Sequence, residues 1–300
     1  MSDLNQFLDQ AWADHGDNAA AVAERLPRAL DLVQDDDGVV RLAALAHHVL
    51  GEHLGQWPRG LDLLQQLADL GLHQADGGAA IARCQASLRL CAGQVDERPQ
   101  LSASDRSRVG AMAAANLGVS QVERAQVCLQ QAEADAAGLA DADPGVRALA
   151  ANANNLAVTL QELDALPAAQ RGLMLQAAQL ARRQWQRAGG WLELERADYR
   201  LALCWLAAGD AAQALQHARQ CEAVVRAQGE PPLELFFAAE ALALASAALG
   251  DGAAQQAALH TARVSFDALP ADDQVWCRAT LDRLASNSAF ADAGEPAAPG

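Results

Sequence analysis

The stretch Leu201-Ala202-Leu203-Cys204-Trp205-Leu206-Ala207-Ala208-Gly209-Asp210 leads into Ala214-Leu215, Ala218 and Cys221. Forty-one residues on, Leu242-Ala243-Leu244-Ala245-Ser246-Ala247-Ala248-Leu249-Gly250-Asp251 leads into Leu259 and Ala262. Each reads as an apolar helix, a glycine that can take the left-handed backbone closing it, and an aspartate placed to cap a second helix. Small residues fall at corresponding places in both. Where two helices cross closely, only a small side chain fits between the backbones, and larger neighbours fill the flanking gaps.

The same punctuation extends outward. Gly-polar steps recur at Gly16-Asp17, Gly55-Gln56 and Gly93-Gln94, and the intervals 16 to 55, 55 to 93 and 209 to 250 are 39, 38 and 41 residues. Gly118 and the Leu163-Asp164 step mark further turns. A period near forty with one tight turn per unit predicts helix pairs in repetition. The pattern places helices at 3–14, 17–34, 39–54, 58–71, 78–93, 103–117, 120–138, 145–163, 168–188, 191–208, 210–228, 232–249, 252–268 and 271–286, with Pro27 expected to kink or split the second. Residues 94–103 break the rhythm and read as a seam between N-terminal repeats (1–93) and C-terminal repeats (104–286), the latter ending in a capping helix. Residues 287–300, rich in Ala, Pro and Gly, are expected to be a disordered tail.

Composition agrees with an all-α fold. Of 300 residues 51% are hydrophobic but only 4% aromatic, and Ala and Leu, strong helix formers, dominate. The net charge is −16, and all 22 basic residues are arginine. An acidic surface repels phosphate backbones, which argues against nucleic acid or an anionic membrane as partner. Absence of lysine excludes Schiff-base chemistry and a P-loop. The six cysteines form no CxxC, and Cys84 and Cys91, seven apart on a helix, are separated by ~10 Å of rise, too far for a disulfide. Buried free thiols in a reducing compartment are expected. No signal-peptide pattern and no long uncharged apolar run is seen, so the expected location is the cytoplasm.

At this point the chain resembles the tetratricopeptide repeat family. The resemblance lies in the large-then-small pairs Leu156-Ala157, Leu201-Ala202 and Leu242-Ala243, the Gly-Asp turns and the alanines of the second helices, and is best from about Arg147 to Leu269. The units are longer than that family's usual length. The resemblance implies a right-handed superhelical solenoid with a concave binding face.

Catalytic chemistry finds no support in motifs: GxSxG, GxGxxG after a strand and DxDxDG are all missing, and no enzyme activity and no cofactor are expected. The acidic residues read as solvated helix faces. The cluster His47-His48-Val49-Leu50-Gly51-Glu52-His53 puts His48 and Glu52 on one helical face. Its histidines, however, are spaced one, five and six apart, so on an α-helix no two share a face, and no metal site is expected.

Polar residues on the inner helices carry more. Asn152, Asn154 and Asn155 interrupt an apolar helix at a cost in propensity, and Asn152 and Asn155 share a face. Arg196 and Arg200 also share a face, with Tyr199, the sole tyrosine, beside them. An amide can bond a peptide backbone as donor and acceptor, and two guanidinia can fork a carboxylate. The bland alternative is a solvated face on which Glu193 pairs Arg196. The resemblance implies more: Asn155, Arg196 and Arg200 fall where peptide-binding tetratricopeptide proteins place part of a carboxylate clamp, although its other members have no counterpart near Ser107 and Ala111. Phe236-Phe237 and the six tryptophans are read as packing between helices. The expected function is a scaffold that holds a protein or peptide segment, an acidic terminus included, at Asn152, Asn155, Arg196, Tyr199 and Arg200; the alternative is a sensor domain for a small anionic ligand or signalling peptide.

Overall fold

The computed structural model describes residues 3–292. It is all-helical, with no strand among the described residues, and its helices pack in adjacent pairs. Contacts group the chain into two units, Met1–Leu156 and Ala157–Gly300.

The first unit holds α1 (Asp3–Ala29), α2 (Asp36–Ala46), α3 (Trp57–Asp69), α4 (Ala75–Cys91), α5 (Ala103–Leu117), α6 (Val122–Ala136) and most of α7 (Pro144–Gln161). Its backbone departs from regularity at several points. Asn18 leaves helical geometry (φ −147°, ψ 51°) and kinks α1 close to the expected Gly16-Asp17 break. Pro27 lies inside the helix, which gives way two residues later to a 3₁₀ turn, Leu30–Leu32. Asp35 caps α2 by accepting from the Gly38 N–H at 2.8 Å. At its far end α2 passes into a π-helical turn, His47–His53. Leu4, Leu8, Leu26, Leu42, Leu45, Leu64 and Leu88 fill the core of this region.

The 94–103 stretch is irregular, with one 3₁₀ turn at Arg98–Gln100 and Arg98 forking Asp96 at 2.9 and 2.8 Å. Helices α4 and α5 pack directly against each other across it, and the boundary between units falls inside α7.

The second unit holds α8 (Ala168–Ala188), α9 (Trp191–Ala207), α10 (Ala211–Ala227), α11 (Pro232–Ala248), α12 (Gly252–Asp267) and α13 (Ala271–Asp292). Here the two matched stretches fold alike. Gly209 (φ 83°) and Gly250 (φ 73°) take the left-handed conformation. The next N–H closes onto the carbonyl five residues back, Asp210 to Trp205 at 2.9 Å and Asp251 to Ser246 at 3.0 Å. Asp210 and Asp251 then cap α10 and α12, each accepting a backbone N–H at 3.0 Å. Ala202, Ala218 and Ala241 are fully buried together where helices cross, as small residues there require. Phe236 is buried against Phe266 and Phe237, and Phe237 also meets Tyr199 and Trp276. Helix α13 continues to Asp292, so 287–292 are helical; the remainder of the expected tail, 293–300, lies outside the described residues.

Side-chain bonds recur at one register in both units. His47 meets Ser87 (40 apart), Asp36 accepts from the Gly77 N–H (41 apart) and Ser104 donates to Asp143 (39 apart). In the second unit Arg200 donates to Gln161 (39 apart), Arg196 to Glu234 (38 apart) and Tyr199 to Glu240 (41 apart). All six cysteines are buried and unbridged, and burial pushes the Cys84, Cys91 and Cys204 thiols up to about 12. Among the described residues no helix is long and apolar enough to cross a membrane.

Candidate functional site

The residues singled out in the sequence fall into two sets. Asn152 and Asn155 lie in the first unit, and Arg196, Tyr199 and Arg200 lie on α9 in the second.

On α9, each of the three side chains reaches an element about one repeat away. The exposed Arg196 guanidinium donates to Glu234 at 2.9 Å. Arg200 donates to Gln161 and lies 5.9 Å from the Tyr199 ring centroid. The Tyr199 hydroxyl donates to the buried Glu240 at 2.8 Å, and burial together with that carboxylate raises its pKa. Glu240 also accepts from Arg283 at 3.2 Å. Tyr199 is thus held in the helix packing, while Arg196 keeps a solvent-facing guanidinium.

The acidic residues of this unit are not all solvated. Asp198 is buried between Arg182 (2.6 Å) and His217 (2.9 Å). Glu195 is buried with Cys221 Sγ donating to Oε1 at 3.1 Å, while its Oε2 has no partner. Burial pushes the Glu195 carboxyl up to about 7. Nothing in the helical periodicity separated these carboxylates from surface ones, because their burial depends on which helix packs over α9.

In the first unit, Asn155 is exposed, and Asn152 donates to the Ala148 carbonyl at 2.9 Å. Asn152 also lines a cleft of about 260 Å³ shared with His47, His48, Glu52, Arg83 and Arg108. Arg83 pairs with Asp105 at 3.2 Å, and Arg108 is 3.9 Å from the same carboxylate. Burial and the like charge of Arg83 lower the Arg108 pKa, yet a guanidinium stays charged throughout the physiological range.

The histidines of the π turn have separate environments. His47 is buried, its Nε2 accepting from the Asn116 amide at 3.1 Å and lying 3.1 Å from Ser87 Oγ. Burial lowers its pKa to about 4, so the ring is neutral. Gly51 lets Asn116 approach: a Cβ there would sit 2.7 Å from Asn116 Oδ1 and 3.0 Å from Leu88. His48 Nδ1 lies 2.9 Å from Glu52 Oε2, and His48 Nε2 lies 3.1 Å from His53 Nε2. Burial opposes ionisation of Glu52, but the His48 bond and nearby imidazoles outweigh it and lower its pKa. His15, from α1, completes a cluster with His48 and His53, and Trp12 packs against both His15 and His48.

The reading that no two histidines of 47–53 share a face is overturned. It assumed α-helical geometry, whereas the segment is π-helical, with the Leu54 N–H bonded to the Val49 carbonyl five residues back at 3.2 Å. A π turn aligns residues five apart, as His48 and His53 are. No protein-family model and no curated protein matches this chain.

Proposed function

We propose that this chain is a tetratricopeptide-like helix-pair solenoid that holds a protein or peptide segment and performs no catalysis. The observation that carries the reading is the recurrence of side-chain bonds at 38 to 41 residues in both units, which is what stacked copies of one helix pair require. Such stacks present repeated inner helices as an extended binding surface. Arg196 and Arg200, on α9 of the second unit, supply its cationic element, and Tyr199 positions α9. In the Arg196–Glu234 pair the guanidinium is exposed while Glu234 is mostly buried, so an incoming carboxylate can reach Arg196 from solvent and share it with Glu234. The double substitution Arg196→Ala, Arg200→Ala is expected to leave the melting curve nearly unchanged. It should weaken binding of peptides with acidic C-termini, screened on an array, by about tenfold or more. Equal affinity in the double variant refutes this assignment.

One observation favours the second reading, a sensor of small anions. The cleft of the first unit brings Arg83, Arg108 and Asn152 to one concavity, and both guanidinia rely on the single carboxylate of Asp105. A thermal shift with small dicarboxylic acids that disappears in Arg108→Ala would support the sensor over the scaffold.

A further inference from the structure

We propose that His15, His48 and His53 form a binding site for a divalent transition-metal ion of the zinc type, closed between α1 and the π turn. One ring nitrogen from each of the three histidines lies within 4.8 Å of the other two. The His48 Nε2–His53 Nε2 separation is 3.1 Å. Two imidazole nitrogens on a tetrahedral zinc, each about 2.0–2.1 Å from the ion, stand roughly 3.3 Å apart. That pair is therefore already at ligand–ligand distance, and a side-chain rotation of His15 brings in the third nitrogen.

The surroundings orient the rings as a metal site needs. A ligating imidazole commonly donates its other N–H to a carboxylate or backbone carbonyl, which fixes the tautomer. His48 directs Nδ1 to Glu52 Oε2 at 2.9 Å, which leaves Nε2 with its lone pair. His15 directs Nδ1 to the Trp12 carbonyl at 2.6 Å, with the same consequence. Two of the three ligands thus have the tautomer that presents Nε2 to an ion. His53 is exposed, which gives an entry path and leaves a fourth position open to solvent. Three neutral imidazoles suit Zn²⁺, and also Co²⁺, Ni²⁺ and Cu²⁺, but not Mg²⁺ or Ca²⁺, which take oxygen ligands.

The backbone supplies a separate argument. On an α-helix, residues five apart point about 140° away from each other. The π turn over His47–His53 narrows that offset for His48 and His53, whose Nε2 atoms lie 3.1 Å apart. Such turns are uncommon and recur at functional sites. Here the widened turn places two imidazoles together beside a third from another helix, a placement that packing alone does not explain, since His53 is exposed.

The test uses the tag-free 300-residue chain, stripped with chelator and titrated with Zn²⁺ by calorimetry, with Co²⁺ as spectroscopic probe. The expected result is one ion per chain, visible-region Co²⁺ bands of a nitrogen-rich site, and a higher melting temperature with Zn²⁺. His53→Ala and His15→Ala each abolish the bands, and Glu52→Gln weakens affinity about 10–100-fold by releasing His48. Because His53 is exposed, its substitution keeps the apo fold, which circular dichroism verifies. No Zn²⁺ uptake, or uptake of equal affinity in both histidine variants, overturns the proposal. Neither outcome bears on the α9 arginines, which are tested by peptide binding.

Discussion

The turns at Gly55 and at Gly209 begin from the same sequence signal and end differently. At Gly209 an α-helix closes tightly, an aspartate caps the next helix, and the pattern repeats at Gly250. At Gly55 the preceding helix widens into a π turn, and Gln56 has no capping side-chain bond. The first arrangement serves packing: Ala202, Ala218 and Ala241 meet and little else is gained. The second gives up regular backbone and brings three histidines and a glutamate together. The two units also place their departures from regularity in different parts of the molecule. The first has them in the backbone, at Asn18, Leu30–Leu32, His47–His53 and Arg98–Gln100. The second keeps regular helices over α9–α12, with Glu230 at positive φ (58°) in the turn between α10 and α11, and buries Glu195, Asp198 and Glu240.

The largest expected effect probes that last difference. The Glu195 carboxyl titrates at about 7 in the folded protein against an ordinary 4.5, chiefly through burial, with Glu234 and Asp198 adding in the same direction and the Cys221 bond and Arg196 opposing. Between those values the folded state binds the proton more tightly than the unfolded one. The associated stability is fully present below pH 4.5 and is lost as pH rises through about 7. Urea unfolding at pH 5 and pH 8 should differ by up to about 3 kcal/mol from this group. Glu195→Gln should flatten that difference; an unchanged difference would mean that Glu195 does not carry it.

Next in size, Gly51→Ala in the π turn forces a methyl group against Asn116 and Leu88 and should cost about 2 kcal/mol. The matching Gly209→Ala meets no atom within 4 Å and should cost only the backbone strain of its positive φ, about 1 kcal/mol. Equal costs would erase the distinction between the two turns. The smallest effect is Asp210→Ala, which removes one cap and should cost about 1 kcal/mol or slightly less in a chemical melt. An effect near zero would make the Gly-Asp step a glycine signal alone.

The helix-pair pattern was legible because it rests on local chemistry. Glycine at a left-handed turn, aspartate at a cap and alanine at a crossing are each required by the backbone beside them. The Gly55 step was equally legible as a turn, but the same reasoning misplaced His48 and His53, since periodicity assumes a pitch before it assigns faces. His15 could not be connected to them at all, being 33 residues away on the far side of a kink. The acidic residues failed for a related reason: Glu24 and Glu195 look alike on a helix, and only the helices packed around them decide that the first is exposed and the second buried.

Local chemistry along the chain sufficed for the all-helical class, the spacing of the helix pairs, the unbridged cysteines and the caps that start helices. Propensity, glycine and capping act over a few residues and need no knowledge of what lies across the molecule. Tertiary structure alone decided the π turn, the meeting of His15 with His48 and His53, the cleft holding Asn152 with Arg83 and Arg108, and the partners of Arg196 and Tyr199. Each of these depends on surfaces far apart in the chain being packed together, where burial and close approach, not local preference, set backbone pitch and side-chain pairing.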